Sequence, residues 1–129
     1  MNTECKEYVP CRKYTIEDVI SIIKDNFVPN KIGIASRVDY QVAITDVKLF
    51  FENVRHTYIE KSKMARILQV MGLRRTTFKK FKRLSSYGSL GVPNEVNDLS
   101  FSELDKRLIE LGYTPEGTEE DMRKDAYCL

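Results

Sequence analysis

The chain has 129 residues, of which 42% are hydrophobic and 31% are charged, and its formal net charge is +2. This length fits one domain with a core of its own, and the composition is not extreme enough to indicate an intrinsically disordered chain. Since no apolar run reaches the roughly 18 residues of a membrane helix and the first residues form no apolar signal core, we expect a cytoplasmic protein that does not bind membranes.

Charge is distributed unevenly along the chain. Residues 55–84, which we call the basic stretch, contain ten Lys or Arg residues and a single acid, Glu60. Residues 1–54 contain seven basic and eight acidic residues, and residues 85–129 contain four basic and ten acidic ones. A net charge of +9 concentrated in the basic stretch indicates a polyanionic partner such as nucleic acid.

The first predicted helix follows an N-terminal tail at residues 1–13. Thr15 and Asp18 have the spacing of a capping box, and Pro29 marks the end of the helix. The residues at helical spacing on its apolar face are Ile16, Val19, Ile20, Ile22 and Ile23. Over residues 31–44 apolar side chains fall on even positions, which is the period of a strand. Residues 31–44 are therefore compatible with a short β-hairpin and, alternatively, with a helix or a loop.

The second predicted helix begins at Thr45 or Asp46. Its core-facing residues are Val47, Phe50, Phe51 and Val54. A third helix is predicted over residues 62–71, with Gly72 as the left-handed residue that ends it. A fourth is predicted over residues 75–84, before a loop rich in serine, glycine and proline.

The acidic third of the chain predicts two more helices. Ser100 and Glu103 form a capping box at the start of the fifth helix, which Gly112 ends. Its apolar stripe consists of Phe101, Leu104, Leu108, Ile109 and Leu111. Thr118, followed by three acids that suit the positive end of a helix dipole, predicts a short and marginal sixth helix.

These elements predict a mainly α fold, a compact bundle of five to six helices with the short β-hairpin as an alternative near 31–44. We expect a single helical DNA-binding domain over residues 14–115, with a helix-turn-helix at about 62–85. Residues 116–129 then form an acidic C-terminal short helix or tail.

The third and fourth predicted helices carry a resemblance to a known family. Residues 65–84 read ARILQVMGLRRTTFKKFKRL, and this segment resembles the helix-turn-helix of the Fis-type family from the turn onward. The matching residues are Gly72, Leu73, Arg75, Thr77, Phe78, Lys79 and Lys80. The resemblance implies a sequence-specific binder of duplex DNA, commonly a dimer.

A helical projection of residues 75–84 places an apolar side, with Phe78, Phe81 and Leu84, opposite a face of cations. Arg and Lys side chains reach both guanine acceptors and phosphates. The candidate DNA-binding residues are therefore Arg74, Arg75, Thr76, Thr77, Lys79, Lys80, Lys82 and Arg83, with Lys61 and Lys63 on the preceding helix.

Signals for catalysis and metal binding are weak. The sequence contains no nucleotide-binding loop, no hydrolase elbow and no zinc-protease motif. Cys5, Cys11, Cys128 and the single histidine, His56, lack the usual spacing of a zinc site. We expect a protein that is not an enzyme and that has no cofactor, no metal and no small-molecule ligand.

The sequence as a whole predicts a sequence-specific double-stranded DNA-binding protein, a transcriptional regulator that represses by occupying its operator. We expect a homodimer, with residues 101–111 favoured as the interface over residues 32–44. A protein-interaction module and an RNA-binding protein are alternatives that use the same basic face. A lesser alternative is a DNA-binding half related to a mobile-element nuclease without the catalytic domain.

Overall fold

The fold is described from a computed structural model, which covers residues 13–29, 36–73, 81–83, 95–117 and Glu120. This described part is mainly helical, as the sequence predicted. Its four α-helices are α1 (Ile16–Asn26), α2 (Arg37–Asn53), α3 (Lys61–Val70) and α4 (Phe101–Glu110). A short 3₁₀-helix at Glu95–Asp98 precedes α4.

Two three-residue strands complete the described part of the chain. They are β1 (Phe27–Pro29), directly after α1, and β2 (Phe81–Arg83). The strands pair antiparallel, with Phe27 opposite Arg83, Val28 opposite Lys82, and Pro29 opposite Phe81. The pair joins the end of the first helix to the chain that comes after α3.

The sequence predicted five to six helices, whereas the described part of the chain has four α-helices. The predicted fifth helix corresponds to α4. The predicted sixth helix lies outside the described residues apart from Glu120, which is helical.

Three of the helices begin with the same capping arrangement. A Ser or Thr hydroxyl accepts a hydrogen bond from the backbone N–H three residues on, and the acid there accepts one from the backbone of the cap. This satisfies N–H groups that have no partner within the helix. The three pairs are Thr15 with Asp18, Ser36 with Asp39, and Ser100 with Glu103.

Helix α2 begins much earlier than predicted. The cap is Ser36, so the start at Thr45 or Asp46 is wrong, and residues 36–44 are not a hairpin strand. Residues 31–35 lie outside the described part.

The alternation of apolar residues that suggested a strand arises because α2 has apolar residues on two faces. Ala43, Ile44 and Val47 are buried, whereas Val38, Val42 and Leu49 are exposed.

Helix α3 ends at the predicted glycine. Gly72 has a φ of 90°, in the left-handed region that favours glycine. Its N–H donates to the carbonyl of Gln69 at 2.9 Å, and the N–H of Leu73 donates to the carbonyl of Leu68 at 2.9 Å. This pair of bonds is a Schellman motif, which satisfies the last carbonyls of the helix and turns the chain away.

Helix α4 ends with the same motif at Gly112, whose φ is 95°. The N–H of Gly112 donates to the carbonyl of Ile109 at 3.0 Å, and the N–H of Tyr113 donates to that of Leu108 at 3.0 Å. A Cβ atom added at Gly72 or at Gly112 would meet no other atom within 4 Å. At either glycine, a substitution therefore acts through the backbone angle and not through a clash.

The core is built around α3, the most enclosed of the described helices. Eight of its ten residues are buried, including two that carry a charge. The aromatic rings of Phe27 and Phe51 meet that of Phe50 edge to face, with centroid distances of 5.0 and 5.8 Å. The largest fully buried side chains are Phe50, Phe51, Ile16, Ile23, Ile44, Ile59, Met64, Ile67, Leu68 and Leu104.

The loop between α2 and α3 holds a left-handed residue that is not glycine. His56 has a φ of 52°, and its Nε2 atom is buried without a hydrogen-bond partner among the described residues. A Cβ at this angle costs about 1–2 kcal/mol. We therefore expect His56→Gly to be more stable than His56→Ala by about 1 kcal/mol in urea unfolding. Greater stability of the alanine variant would contradict the left-handed angle.

The same histidine should make stability depend on pH. Burial lowers the pKa of His56 below its ordinary value of 6.5. As the pH falls through 6.5, the unfolded chain takes up a proton that the folded chain does not, so the free energy of unfolding falls until the folded pKa is reached. His56→Gly should lack this contribution when unfolding is compared at about pH 7.5 and about pH 5.5.

Candidate nucleic-acid interface

Lys61 and Lys63, the two predicted DNA-binding lysines on α3, differ in their surroundings. Lys61 is half-buried at the first position of the helix. Lys63 is only 6% exposed, and its Nζ donates to the backbone carbonyl of Asn97 at 2.8 Å. The side-chain amide oxygen of Asn97 also accepts from the N–H of Glu60 at 3.0 Å. The structure therefore gives Lys63 a structural role, joining α3 to the segment before α4.

Arg66 is the second cation of the basic stretch that points inward. It is 3% exposed, and its Nε and Nη2 atoms donate to the two carboxylate oxygens of Asp105, each at 2.8 Å. Its Nη1 donates to Gln69 at 3.1 Å and to the backbone carbonyl of Glu116. This fork geometry satisfies most of the guanidinium donors, which is the condition for burying a charge.

The sequence places Lys63 among the predicted DNA-binding residues and counts Arg66 in the charge of the basic stretch, because a buried lysine or arginine looks the same in sequence as an exposed one. Their partners, Asn97 and Asp105, lie more than 30 residues further along the chain. The spacing of the two residues is a weak sequence signal that they share one flank of the helix and could be buried together. Lys63 and Arg66 are three residues apart, on the helix flank that the acidic third of the chain covers.

The predicted fourth helix over 75–84 is wrong at its end, because Phe81–Arg83 form strand β2. Lys82 and Arg83 therefore lie on a strand, so the helical projection that placed Arg83 opposite Phe81 and Lys82 at the edge of that face does not apply. The other candidates of this segment, Arg74, Arg75, Thr76, Thr77, Lys79 and Lys80, lie outside the described residues. The three-residue spacing of Phe81 and Leu84 matches the period of a helix, which is why the sequence predicted a helix there.

The structure fixes the two ends of the most basic part of the chain. We call residues 74–83 the basic segment, because six of its ten residues are Lys or Arg and none is acidic. It begins after the Schellman turn at Gly72, where Leu73 packs against the core. It ends on strand β2, which pairs with β1. A chain held at both ends loses less conformational entropy on binding than a free tail does.

Several cations outside the basic segment have partners within the protein. Arg107 pairs with Glu95 at 3.0 Å, and Lys48 pairs with Glu52. The ammonium group of Lys48 also lies 4.4 Å from the centre of the Tyr58 ring. These contacts leave the basic segment as the densest cluster of like charge in the sequence.

An open groove of about 420 Å³ lies beside the buried ion pair. Its lining consists of Arg66, Asp105, Ile109, Tyr113, Thr114, Pro115 and Gly117. Arg66 and Asp105 already satisfy each other there, so a ligand would have to break a bidentate pair to bind them. We assign no ligand to this groove.

The dimer interface favoured from the sequence is not available. Phe101, Leu104 and Leu108, the main part of the predicted stripe on α4, are buried in the core, and only Ile109 and Leu111 are exposed. In the second stretch considered, residues 32–44, Val38 and Val42 are exposed whereas Ile44 is buried. Dimerisation therefore stays a prediction without an assigned interface.

Comparisons with known proteins assign no relative: no protein-family model, curated protein or solved structure matches the chain. None of the helices in the described part has both the length and the apolar character needed to cross a bilayer. Within that same part, no three His, Cys, Asp or Glu side chains come together as a metal site would require.

Proposed function

We propose that the protein binds double-stranded DNA through the basic segment and regulates transcription by occupying an operator, with repression the simplest outcome. The observation that carries this proposal is the charge of residues 74–83: six cations, two threonines and no acid. Duplex DNA presents one phosphate charge per roughly 1.7 Å of helix axis, and cations that neutralise it release condensed counterions. The anchoring supports the proposal because Leu73, just before the segment, packs against the core, and residues 81–83 at its end pair with β1.

The structure changes the set of residues in this proposal. Lys63 leaves it, since its ammonium group is buried against Asn97. Lys82 and Arg83 stay in it as residues of a strand. The Fis-type resemblance stays a prediction, and any recognition helix has to end before Phe81.

The test begins with selection of bound sequences from a random duplex pool, with a scrambled duplex as the control. Affinity for the selected site is then measured by fluorescence anisotropy over a salt series. We expect Lys79→Ala/Lys80→Ala to weaken binding and to lower the salt slope by roughly 2, since each phosphate contact contributes about 0.9. The matched control is Lys13→Ala/Lys106→Ala, which removes the same charge from two exposed positions outside the basic segment.

The control separates local contacts from net charge. If both double variants lose the same affinity and slope, binding depends on overall charge and the basic segment is not the interface. A wild-type protein that enriches no duplex sequence would overturn this proposal, and one for which RNA is the better competitor would replace it with the RNA-binding alternative. A protein-interaction module would show no salt-dependent binding to either nucleic acid.

A further inference from the structure

The two Schellman turns offer a comparison within one molecule. Gly72 and Gly112 have nearly the same φ, the same pair of backbone hydrogen bonds and the same empty space around the missing Cβ. They differ in the segment to which each turn leads. After Gly72 the chain continues into the basic segment, whereas after Gly112 it continues into residues 113–117, beside the ion pair of Arg66.

The other end of the basic segment depends on β1, a strand that carries no charged residue. Val28 lies opposite Lys82, and its side chain is exposed, so the core does not require it. Phe27, by contrast, is buried against Phe50. The backbone of β1 can therefore be changed at Val28 without removing a core side chain.

We propose that Gly72 and Val28 are positioning residues for duplex binding, which act through the backbone by fixing the direction in which the basic segment leaves α3 and the register in which it ends. This inference rests on the proposed function. Neither residue is charged, and neither needs to touch DNA. Their effect on affinity comes from geometry, because a cation displaced from its phosphate or base edge no longer forms the contact.

The first experiment compares Gly72→Ala with Gly112→Ala. Both substitutions force a Cβ into the left-handed region, at a similar cost in stability. We expect only Gly72→Ala to weaken binding to the selected duplex, by roughly tenfold, which corresponds to the loss of about one contact. Circular dichroism at the temperature of the binding assay confirms that both variants are folded. Gly72→Asn, which tolerates the left-handed angle better, should restore part of the affinity.

The second experiment compares Val28→Pro with Val28→Ala. Proline removes the backbone donor at the centre of β1, whereas alanine keeps it. We expect the proline variant to bind more weakly and with a smaller salt slope, and the alanine variant to match the wild type.

The outcomes distinguish the two proposals. A wild-type protein that does not bind duplex DNA overturns the proposed function. A wild-type protein that binds, with equal affinities for Gly72→Ala and Gly112→Ala and no effect of Val28→Pro, overturns the positioning roles alone. If Gly72→Ala does not fold, the comparison of Gly72→Asn with Gly112→Asn takes its place and is read in the same way.

Discussion

Replacing Arg66 with alanine should lower the free energy of unfolding by about 3 kcal/mol, the low end of the usual cost of breaking a buried ion pair, because Arg66 is buried whereas the side chain of Asp105 is 32% exposed. The change leaves the carboxylate of Asp105 and the carbonyl of Glu116 without their donor, and it empties the space of a side chain that is almost wholly enclosed. Urea unfolding followed by circular dichroism measures the effect.

The chain offers a matched control for this loss. Arg107→Ala removes the same kind of side chain from a pair with Glu95 in which both partners are about one-third exposed, so we expect a cost below about 1 kcal/mol. Arg66→Lys should recover little, since an ammonium group cannot form the two parallel bonds to Asp105. Equal effects of the two alanine variants would mean that the Arg66 pair is hydrated in solution.

The second large effect is expected on α4. Leu104→Glu should destabilise the protein by more than about 4 kcal/mol, because it puts a carboxylate at a position with no solvent exposure and removes a core side chain. Ile109→Glu is the matched control: it makes the same kind of change on the same helix, at a side chain that is 59% exposed, and should shift stability by under about 0.5 kcal/mol.

Light scattering on the two α4 variants separates folding from assembly. The sequence alone suggested that Leu104→Glu would dissociate a dimer, whereas the structure places Leu104 inside the protomer. A folded Leu104→Glu variant of unchanged thermal midpoint would show that this face of α4 is open in solution.

Capping and helix termination could be predicted from the sequence, because they depend on residues close together in the chain. The boxes at Thr15 and Ser100 and the glycine ends at Gly72 and Gly112 are confirmed. The box at Ser36 has the same spacing as that at Thr15. It was missed because alternating apolar residues come directly after it.

Long-range contacts explain the errors. Helix α2 exposes Val38 and Val42 on the side away from the core, so its sequence lacks the single apolar stripe by which an amphipathic helix is recognised. Strand β2 forms because it pairs with β1. A pattern of three residues is too short to predict a pairing partner more than 50 residues away in the chain. The inward orientation of the Arg66 side chain likewise depends on a distant residue, because its guanidinium pairs with Asp105.

The short β pair also affects the order in which the chain can fold. Pairing Phe27–Pro29 with Phe81–Arg83 closes a loop over residues 30–80, which costs roughly 3–4 kcal/mol of chain entropy. Three residue pairs on their own cannot offset that cost, so the strands have to meet after α2 and α3 have packed and shortened the loop. The last link to form on this route is then the one that tethers Lys82 and Arg83. Before the strands pair, the chain would already have most of its hydrophobic core, but the basic segment would be attached to the fold at only one of its two ends.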